Sequence, residues 1–264
     1  MTASNPFSLE GKVALITGGG RGIGAGIAKA MAEAGAAVVL VSRTKEQIDA
    51  TAAEISSAGG RALGIPADLN DLDVLDDIID RTVTELGGLD ILVNNAGGGN
   101  MWRPILEESA ESVDREFHFH VAVPVEIVRR AVPHLLERPG ASIINVISSA
   151  IASPSRGHLS YDAAKGGFHY ATRSMSASLG PKIRVNSINP GIIETESMKA
   201  VTSANATMID GLIARVRMRR LGTPEDIGRA AVFLASPAAS YITGVALDID
   251  GGGLGDAAGR YPDL

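Results

Sequence analysis

The chain has 264 residues, 45% of them hydrophobic but only 4% aromatic, so it can bury one large and mainly aliphatic core. Its net charge of -6 offers no basic surface, which disfavours nucleic acid and anionic membranes as partners. The chain has no cysteine, which excludes disulfides and thiolate metal sites, and no metal is expected.

The location of the protein is judged from its N-terminus and its apolar stretches. No stretch approaches the roughly 18 uninterrupted apolar residues of a membrane span, so no membrane association is expected. The first residues, MTASNPFSLEGK, lack both a basic flank and an apolar signal region. A cytoplasmic location is therefore expected, and residues 255–264 are expected to form a tail.

Short apolar runs alternate with helical patterns along the chain. The first run, residues 13–16, ends in glycines, after which apolar residues recur at helical spacing from Ile23 to Ala34. Similar runs lie at residues 38–41, 91–93, 143–147, 185–188 and 245–249, with a weaker candidate at 62–65. Helical patterns lie between them at about residues 45–58, 71–86, 110–137, 160–179 and 224–235.

Apolar runs with little alternation are typical of strands that are covered on both faces. The pattern therefore predicts an α/β fold, a Rossmann-type doubly wound parallel sheet of about seven strands with helices on both faces. No internal repeat, low-complexity tract or charged linker divides the chain, so residues 1–264 are expected to form a single domain.

A glycine-rich turn follows the first strand and opens the first helix. Its sequence is TGGGRGIG, residues 17–24. Glycine permits positive φ and lets the backbone approach a pyrophosphate, which the free N–H groups of a helix N-terminus then favour. The turn predicts a nucleotide cofactor, although it would suit an S-adenosylmethionine enzyme or a flavoprotein equally well.

The end of the second strand predicts which nicotinamide cofactor binds. An acidic residue there binds the 2′-hydroxyl of the adenosine ribose, whereas a basic residue accommodates a 2′-phosphate. The chain has Ser42 and Arg43 at this point and no acid, and Arg21 in the glycine turn is a second cation. NADP(H) is therefore the expected cofactor and NAD(H) the alternative, unless both arginines are simply solvated loop residues.

A tyrosine and a lysine one helical turn apart are the candidate chemical groups. Tyr161 and Lys165 project from the same face of a helix that begins near Ser160. A tyrosine has an ordinary pKa of about 10, and a neighbouring cation favours its phenolate, so Lys165 is expected to lower the pKa of Tyr161. This spacing also occurs by chance on exposed helices, and the serine pair at 148–149 is what favours a proton-transfer site.

Several spaced motifs together resemble the short-chain dehydrogenase/reductase family over about residues 9–253. They are TGxxxGxG at 17–24, NNAG at 94–97, YxxxK at 161–165 and PGxxxT at 190–195. The resemblance implies an NAD(P)-dependent oxidoreductase that interconverts a secondary alcohol and a ketone of small size and forms a homotetramer. The YxxxK spacing argues against the enoyl reductases of the family, which have a longer interval.

The resemblance also implies roles for single residues. Tyr161 would be the general acid in reduction and the base in oxidation, and Lys165 would lower its pKa while binding the nicotinamide ribose. Asp68 would contact the adenine, and Thr195 with the backbone of Ile193 would contact the nicotinamide carboxamide. The full set of expected cofactor-binding residues is Gly18, Gly20, Arg21, Gly22, Ile23, Gly24, Ser42, Arg43, Asp68, Leu69, Asn95, Ala96, Gly97, Tyr161, Lys165, Pro190, Gly191, Ile193 and Thr195.

Two criteria disagree on which serine would orient the substrate oxygen. Family spacing places this serine thirteen residues before the tyrosine, which selects Ser148. The pattern at the end of the strand selects Ser149 instead. We prefer Ser149, because strand register fixes the direction of a side chain more firmly than loop length does.

The chain departs from the family at the fourth catalytic position, which is usually an asparagine. His120 stands there, and Pro124 follows in the same predicted helix. Proline has no N–H to give to the His120 carbonyl, so that carbonyl would be free to hold a relay water while the imidazole is dispensable. Alternatively His120 carries protons itself, since imidazole titrates near pH 6.5. His120 also favours a further alternative, a regulator that binds NADP(H) without turnover.

Two segments are candidate walls of a substrate pocket. The loop at 98–104 contains the single tryptophan, Trp102, and residues 196–220 resemble a mobile lid with Met198 and Met208 as adaptable apolar surface. Both segments would equally suit a surface loop or ordinary helix packing.

Overall fold

The structure is a computed structural model that describes residues 5–98, 102–152, 154–196, 198 and 206–253, with the backbone alone at 206–208. The expected tail, residues 255–264, lies outside the described residues. Parts of the loop at 98–104 and of the expected lid, including the side chain of Met208, lie outside them as well.

The described strands form one parallel sheet of seven strands. They are β1 (Val13–Thr17), β2 (Ala37–Ser42), β3 (Arg61–Pro66), β4 (Ile91–Asn94), β5 (Ser142–Val146), β6 (Arg184–Pro190) and β7 (Ala246–Ile249). The spatial order is β3-β2-β1-β4-β5-β6-β7. Each predicted apolar run is a strand, including the weaker candidate at 62–65, and the predicted fold class is confirmed.

Helices connect successive strands on both faces of the sheet. They are α1 (Gly22–Glu33), α2 (Lys45–Ser57), α3 (Val74–Leu86), α4 (Ala110–Phe117), α5 (Val123–Leu136), α6 (Leu159–Leu179), α7 (Ala206–Arg215) and α8 (Pro224–Ala235). Alternate residues of β1 face opposite layers: Ile16 packs in a core cluster with α1 and α8, and Leu15 packs in a second cluster with α3 and α5. The sheet is therefore covered on both faces, which is why its strands show little alternation.

The helix predicted at 110–137 differs in detail from the prediction. A π-turn at His118–Ala122 joins α4 to α5, and the N–H of Val123 bonds to the carbonyl of His118. Pro124 has no N–H for the regular bond to residue 120, so the helix widens there instead of continuing with α-helical geometry.

The topology places a crevice at the centre of the sheet. The chain runs outward from β1 through β2 and β3, and then returns to β4 on the other side of β1. Ligands of doubly wound sheets bind at such a switch point, beyond the carboxyl ends of the strands. No helix among the described residues combines the length and the apolar character that a membrane span requires.

Candidate active site

A cavity of about 410 Å³ lies at the switch point, beyond the carboxyl ends of the central strands. Every residue predicted to bind the cofactor lines it, with the exception of Ile193. The side chain of Ile193 is buried in the core, and its backbone forms a β-bridge with Gly222. The side chain of Ile193 therefore belongs to the core and not to the wall of the cavity.

The glycine turn has the geometry that a bound pyrophosphate requires. Gly22 has φ of +54°, and a β-carbon there would lie 3.3 Å from the Cγ2 of Thr195 across the cavity. At Gly24 a β-carbon would lie only 2.1 Å from the carbonyl oxygen of Gly18, so a larger residue would force the turn and α1 apart. These glycines keep the cradle open at the start of α1, and the residues present fit a dinucleotide.

Thr17, the last residue of β1, fixes the two loops that face each other across the switch point. Its hydroxyl accepts hydrogen bonds of 2.9 Å from the N–H groups of both Asn95 and Ala96, and it donates to the carbonyl of Val93. The amide of Asn95 donates in return to the carbonyl of Thr17 at 2.9 Å. The NNAG motif is therefore tied to the glycine turn by side chains and not only by the sheet.

The outer end of the cavity contains the residues that would contact the adenosine ribose. Ser42, Arg43 and Arg21 all line it, together with Gln47 at the start of α2. The hydroxyl of Ser42 is buried without a hydrogen-bond partner among the described residues, and a β-carbon at Gly20 would lie 2.9 Å from it. Both arginines are exposed. This end of the cavity is rich in cations and has an unpaired hydroxyl that a ligand could bind.

Tyr161 and Lys165 stand one turn apart in α6, and both line the cavity, which places the predicted pair together. The Nζ of Lys165 lies 5.7 Å from the centroid of the Tyr161 ring and donates a hydrogen bond of 3.1 Å to the carbonyl of Val146. Burial lowers the pKa of Lys165 to about 8.

The electrostatics of Tyr161 correct one expectation. Burial raises the pKa of Tyr161, and a hydrogen bond with Ser148 opposes that rise only in part. The expectation of a lowered pKa is wrong for the geometry described, because the loss of hydration on burial is the largest influence on the phenol.

The geometry also corrects the preference for Ser149. Ser148 lines the cavity and opposes the rise in the pKa of Tyr161, whereas Ser149 lies in a short 3₁₀ turn and does not line the cavity. The Ser148 hydroxyl accepts a bond of 3.1 Å from the N–H of Ala150, which holds the turn beside β5. β5 ends at Val146, so strand register no longer determines the direction of either serine, and the thirteen-residue spacing selects the better-placed one.

His120 lies beneath the cavity rather than in its wall. It is 2% exposed, and its ring packs edge-on against Tyr161 with centroids 5.3 Å apart. Burial lowers the pKa of His120 to about 3, with a smaller contribution from the charge of Lys165, so the imidazole is neutral at physiological pH. The Nε2 of His120 lies 3.1 Å from the Oε2 of Glu116, one turn earlier.

Sequence motifs did not indicate several residues of the site. Gln47, Phe119 and Glu196 line the cavity, and Glu116 stands beside His120. Glu116 could have been found from its spacing of four residues before His120, which puts the two on one helix face. Trp102 is 64% exposed and packs edge-on against His158 near Tyr161, outside the described lining of the cavity.

The parallel sheet, the cavity at its switch point and the Ser148–Tyr161–Lys165 group define a dinucleotide-dependent oxidoreductase of the Rossmann type. A family model described as enoyl-(acyl carrier protein) reductase matches residues 18–253. An uncharacterised oxidoreductase of Mycobacterium tuberculosis is 42% identical, with 93% of each chain covered. The 7alpha-hydroxysteroid dehydrogenase of Escherichia coli K12 is 35% identical, with 96% of this chain and 98% of that protein covered.

Solved structures agree with the sequence relatives. A 7 alpha-hydroxysteroid dehydrogenase in complex with NADH and 7-oxo glycochenodeoxycholic acid superposes with a TM-score of 0.90 at 35% identity, covering 98% of this chain and all of the other. A solved structure from Agrobacterium tumefaciens with bound NADP superposes with a TM-score of 0.85 at 35% identity, covering 94% of this chain and 98% of the other. The chain belongs to the short-chain dehydrogenase/reductase family and is an oxidoreductase that uses a nicotinamide cofactor.

Proposed function

We propose that this protein interconverts a secondary alcohol and a ketone with NADP(H) as the preferred cofactor and NAD(H) as the alternative. The observation that carries the proposal is that Ser148, Tyr161 and Lys165 together line a cavity that fits a dinucleotide. The interval of four residues between Tyr161 and Lys165 supports carbonyl chemistry rather than the reduction of an enoyl double bond. Because Ser148, Tyr161 and Lys165 are all present, a regulator that binds NADP(H) without turnover is the weaker alternative.

The site residues divide the work of the reaction. Tyr161 gives its phenolic proton to the carbonyl oxygen in reduction and takes it back in oxidation. Ser148 is within reach of the same oxygen and would hold it with a hydrogen bond. The bound cofactor supplies or accepts the hydride. Gly18, Gly22 and the N–H groups at the start of α1 would hold its pyrophosphate.

We assign Lys165 the role of binding the cofactor rather than of lowering the pKa of Tyr161. Its Nζ is fixed by the carbonyl of Val146 and lies on the Tyr161 side of α6, where it would also reach ribose hydroxyls. Burial keeps Tyr161 protonated at neutral pH, which suits its role as the acid in ketone reduction. Oxidation requires the phenolate, so its rate is expected to rise with pH while the rate of reduction falls.

Replacement of Tyr161 by phenylalanine tests this function. Tyr161→Phe keeps the ring and removes the transferable proton, so turnover is expected to fall by about 10²–10⁴-fold or more while cofactor affinity stays close to wild type. The assay follows the loss of NADPH absorbance with a panel of ketones that includes 7-oxo glycochenodeoxycholic acid, and fluorescence titration measures cofactor binding. An active Tyr161→Phe variant would refute the mechanism.

A further inference from the structure

His120 and Glu116 form a pair that reaches from the interior of the site to the surface. The Nε2 of His120 and the Oε2 of Glu116 are 3.1 Å apart, and the His120 side chain is fully buried while that of Glu116 is 22% exposed. The ring N–H is not aligned with the carboxylate, so the contact is close without being a regular hydrogen bond. A small rotation of the imidazole would align it.

The inner end of this pair borders a second, much smaller cavity. It has a volume of about 10 Å³ and is lined by His120, Lys165, Asn94 and Pro124, among other residues. The Oδ1 of Asn94 and both ring nitrogens of His120 are buried without an aligned hydrogen-bond partner among the described residues. A cavity of this size has room for about one water molecule, and these polar groups would supply its hydrogen bonds.

The charges around Glu116 suit a group that exchanges protons with solvent. Burial raises the pKa of Glu116, while Arg115 of its own helix, Arg103 of the preceding loop and Lys165 of α6 oppose that rise. Glu108 adds to it. The pKa of this carboxylate is therefore raised, and its exposed edge gives it access to water.

We propose that His120 and Glu116 are the route by which protons pass between the catalytic site and solvent. This inference rests on the proposed function, because the oxidation of each alcohol to a ketone releases one proton. The alcohol O–H bond breaks and its proton passes to Tyr161, and then through Lys165 and the small cavity to the Nδ1 of His120. The Nε2 proton of His120 passes to Glu116 and from there to solvent, and rotation of the ring restores the first tautomer. Reduction runs the same transfers in reverse.

The test compares His120→Asn, Glu116→Gln, the double variant and the wild type in single-turnover alcohol oxidation. Asp114→Asn is the matched control, because it removes a carboxylate from an exposed position of the same helix. Rates are measured from pH 5 to 10 in H₂O and D₂O, with cofactor binding and circular dichroism as checks on folding. High concentrations of small buffers are then added to supply an external proton acceptor.

Each single variant is expected to lower the rate about tenfold, less than the 10²–10⁴-fold effect of a direct general acid. The double variant is expected to fall no further, since both residues serve one route, and added buffer is expected to restore the rate of Glu116→Gln. Wild-type rates in both single variants, together with an inactive Tyr161→Phe, would overturn the route and leave the function intact. A loss as large in Asp114→Asn would overturn it as well. A wild-type protein that is inactive with every alcohol tested would instead refute the proposed function.

Discussion

Lys165 shows how a single residue can serve the site and weaken the fold. The residue is 4% exposed, and burial lowers its pKa from 10.5 to about 8. That difference corresponds to ~3 kcal/mol of lost hydration for the ionised lysine at neutral pH. The hydrogen bond to Val146 offsets part of this cost.

We expect Lys165→Met to stabilise the protein while abolishing its activity. Methionine keeps the length of the side chain and removes the buried charge, for a net gain of about 1–2 kcal/mol and roughly 3–5 °C in Tm at pH 7. Thermal unfolding followed by circular dichroism measures it. A lower Tm than wild type would show that the hydrogen bond to Val146 outweighs the hydration of the charge.

The stability gained by Lys165→Met should depend on pH in a defined direction. The folded-state pKa of Lys165, about 8, lies below the ordinary 10.5, so between these values the unfolded chain holds more protons. Wild-type stability therefore rises with pH across this window relative to the variant. The difference in Tm should be full below pH 8 and vanish by about pH 10.5. A difference that stayed constant to pH 10.5 would contradict the assignment of the gain to the buried charge.

Arg43 is expected to determine which cofactor binds. Arg43→Ala should weaken NADPH binding by about tenfold or more and leave NADH binding close to wild type, because only NADPH has a 2′-phosphate to pair with the guanidinium. Arg81→Ala, at a half-buried position of α3 outside the cavity, is the control. Fluorescence titration measures both affinities, and equal wild-type affinities for the two cofactors would contradict the NADP(H) preference.

At the scale of elements, the end of β1 governs the geometry of the cofactor cradle. The Thr17 hydroxyl bonds to the N–H groups of Asn95 and Ala96, so it joins the loop after β1 to the loop after β4. We expect Thr17→Val to weaken cofactor binding severalfold and to lower stability by about 1–2 kcal/mol, because two partly buried N–H groups lose their acceptor.

The control for this prediction is Thr82→Val in α3. Its hydroxyl is equally buried but donates only to the carbonyl of Ile78 in its own helix. Urea unfolding measures the loss of stability in both variants, and cofactor titration measures the loss of affinity. An equal change in cofactor affinity in Thr82→Val and Thr17→Val would refute a special role for the end of β1.

The elements themselves were predictable because they depend on local pattern. Strands covered on both faces show as uninterrupted apolar runs, whereas the π-turn at residues 118–122 was not predicted, although Pro124 lacks an N–H. Ser148 was a candidate but not the preferred serine, and Glu116 was not selected, since their importance depends on the path of a loop beyond β5 and on the contact between α4 and α6. The pKa of Tyr161 was misjudged because burial cannot be read from the spacing of two residues.

At the scale of the whole molecule, apolar side chains remain on the outer faces of two helices. On α6, Leu159 is 47% exposed and Tyr170 is 69% exposed, and Phe117 of α4 is 36% exposed. Before β7, an edge strand of the described sheet, Tyr241 is fully exposed and Val245 is 38% exposed. These surfaces support the predicted homotetramer, in which the 110–137 and 160–179 helices pack against symmetry mates and the last strand forms a second interface. The cytoplasmic location stays a prediction.

The tetramer is tested by a charge placed on one interface. Light scattering of the wild type at micromolar concentration should give four times the 27.2 kDa mass of one chain. Tyr170→Lys should reduce this to the mass of a dimer, because a lysine ammonium buried against a symmetry mate costs several kcal/mol, while the interface of the last strand stays intact. Ala53→Lys adds the same charge to an exposed position of α2, away from both predicted interfaces, and should leave the mass unchanged. A monomeric wild type would contradict the assembly, and a tetrameric Tyr170→Lys variant would remove α6 from it.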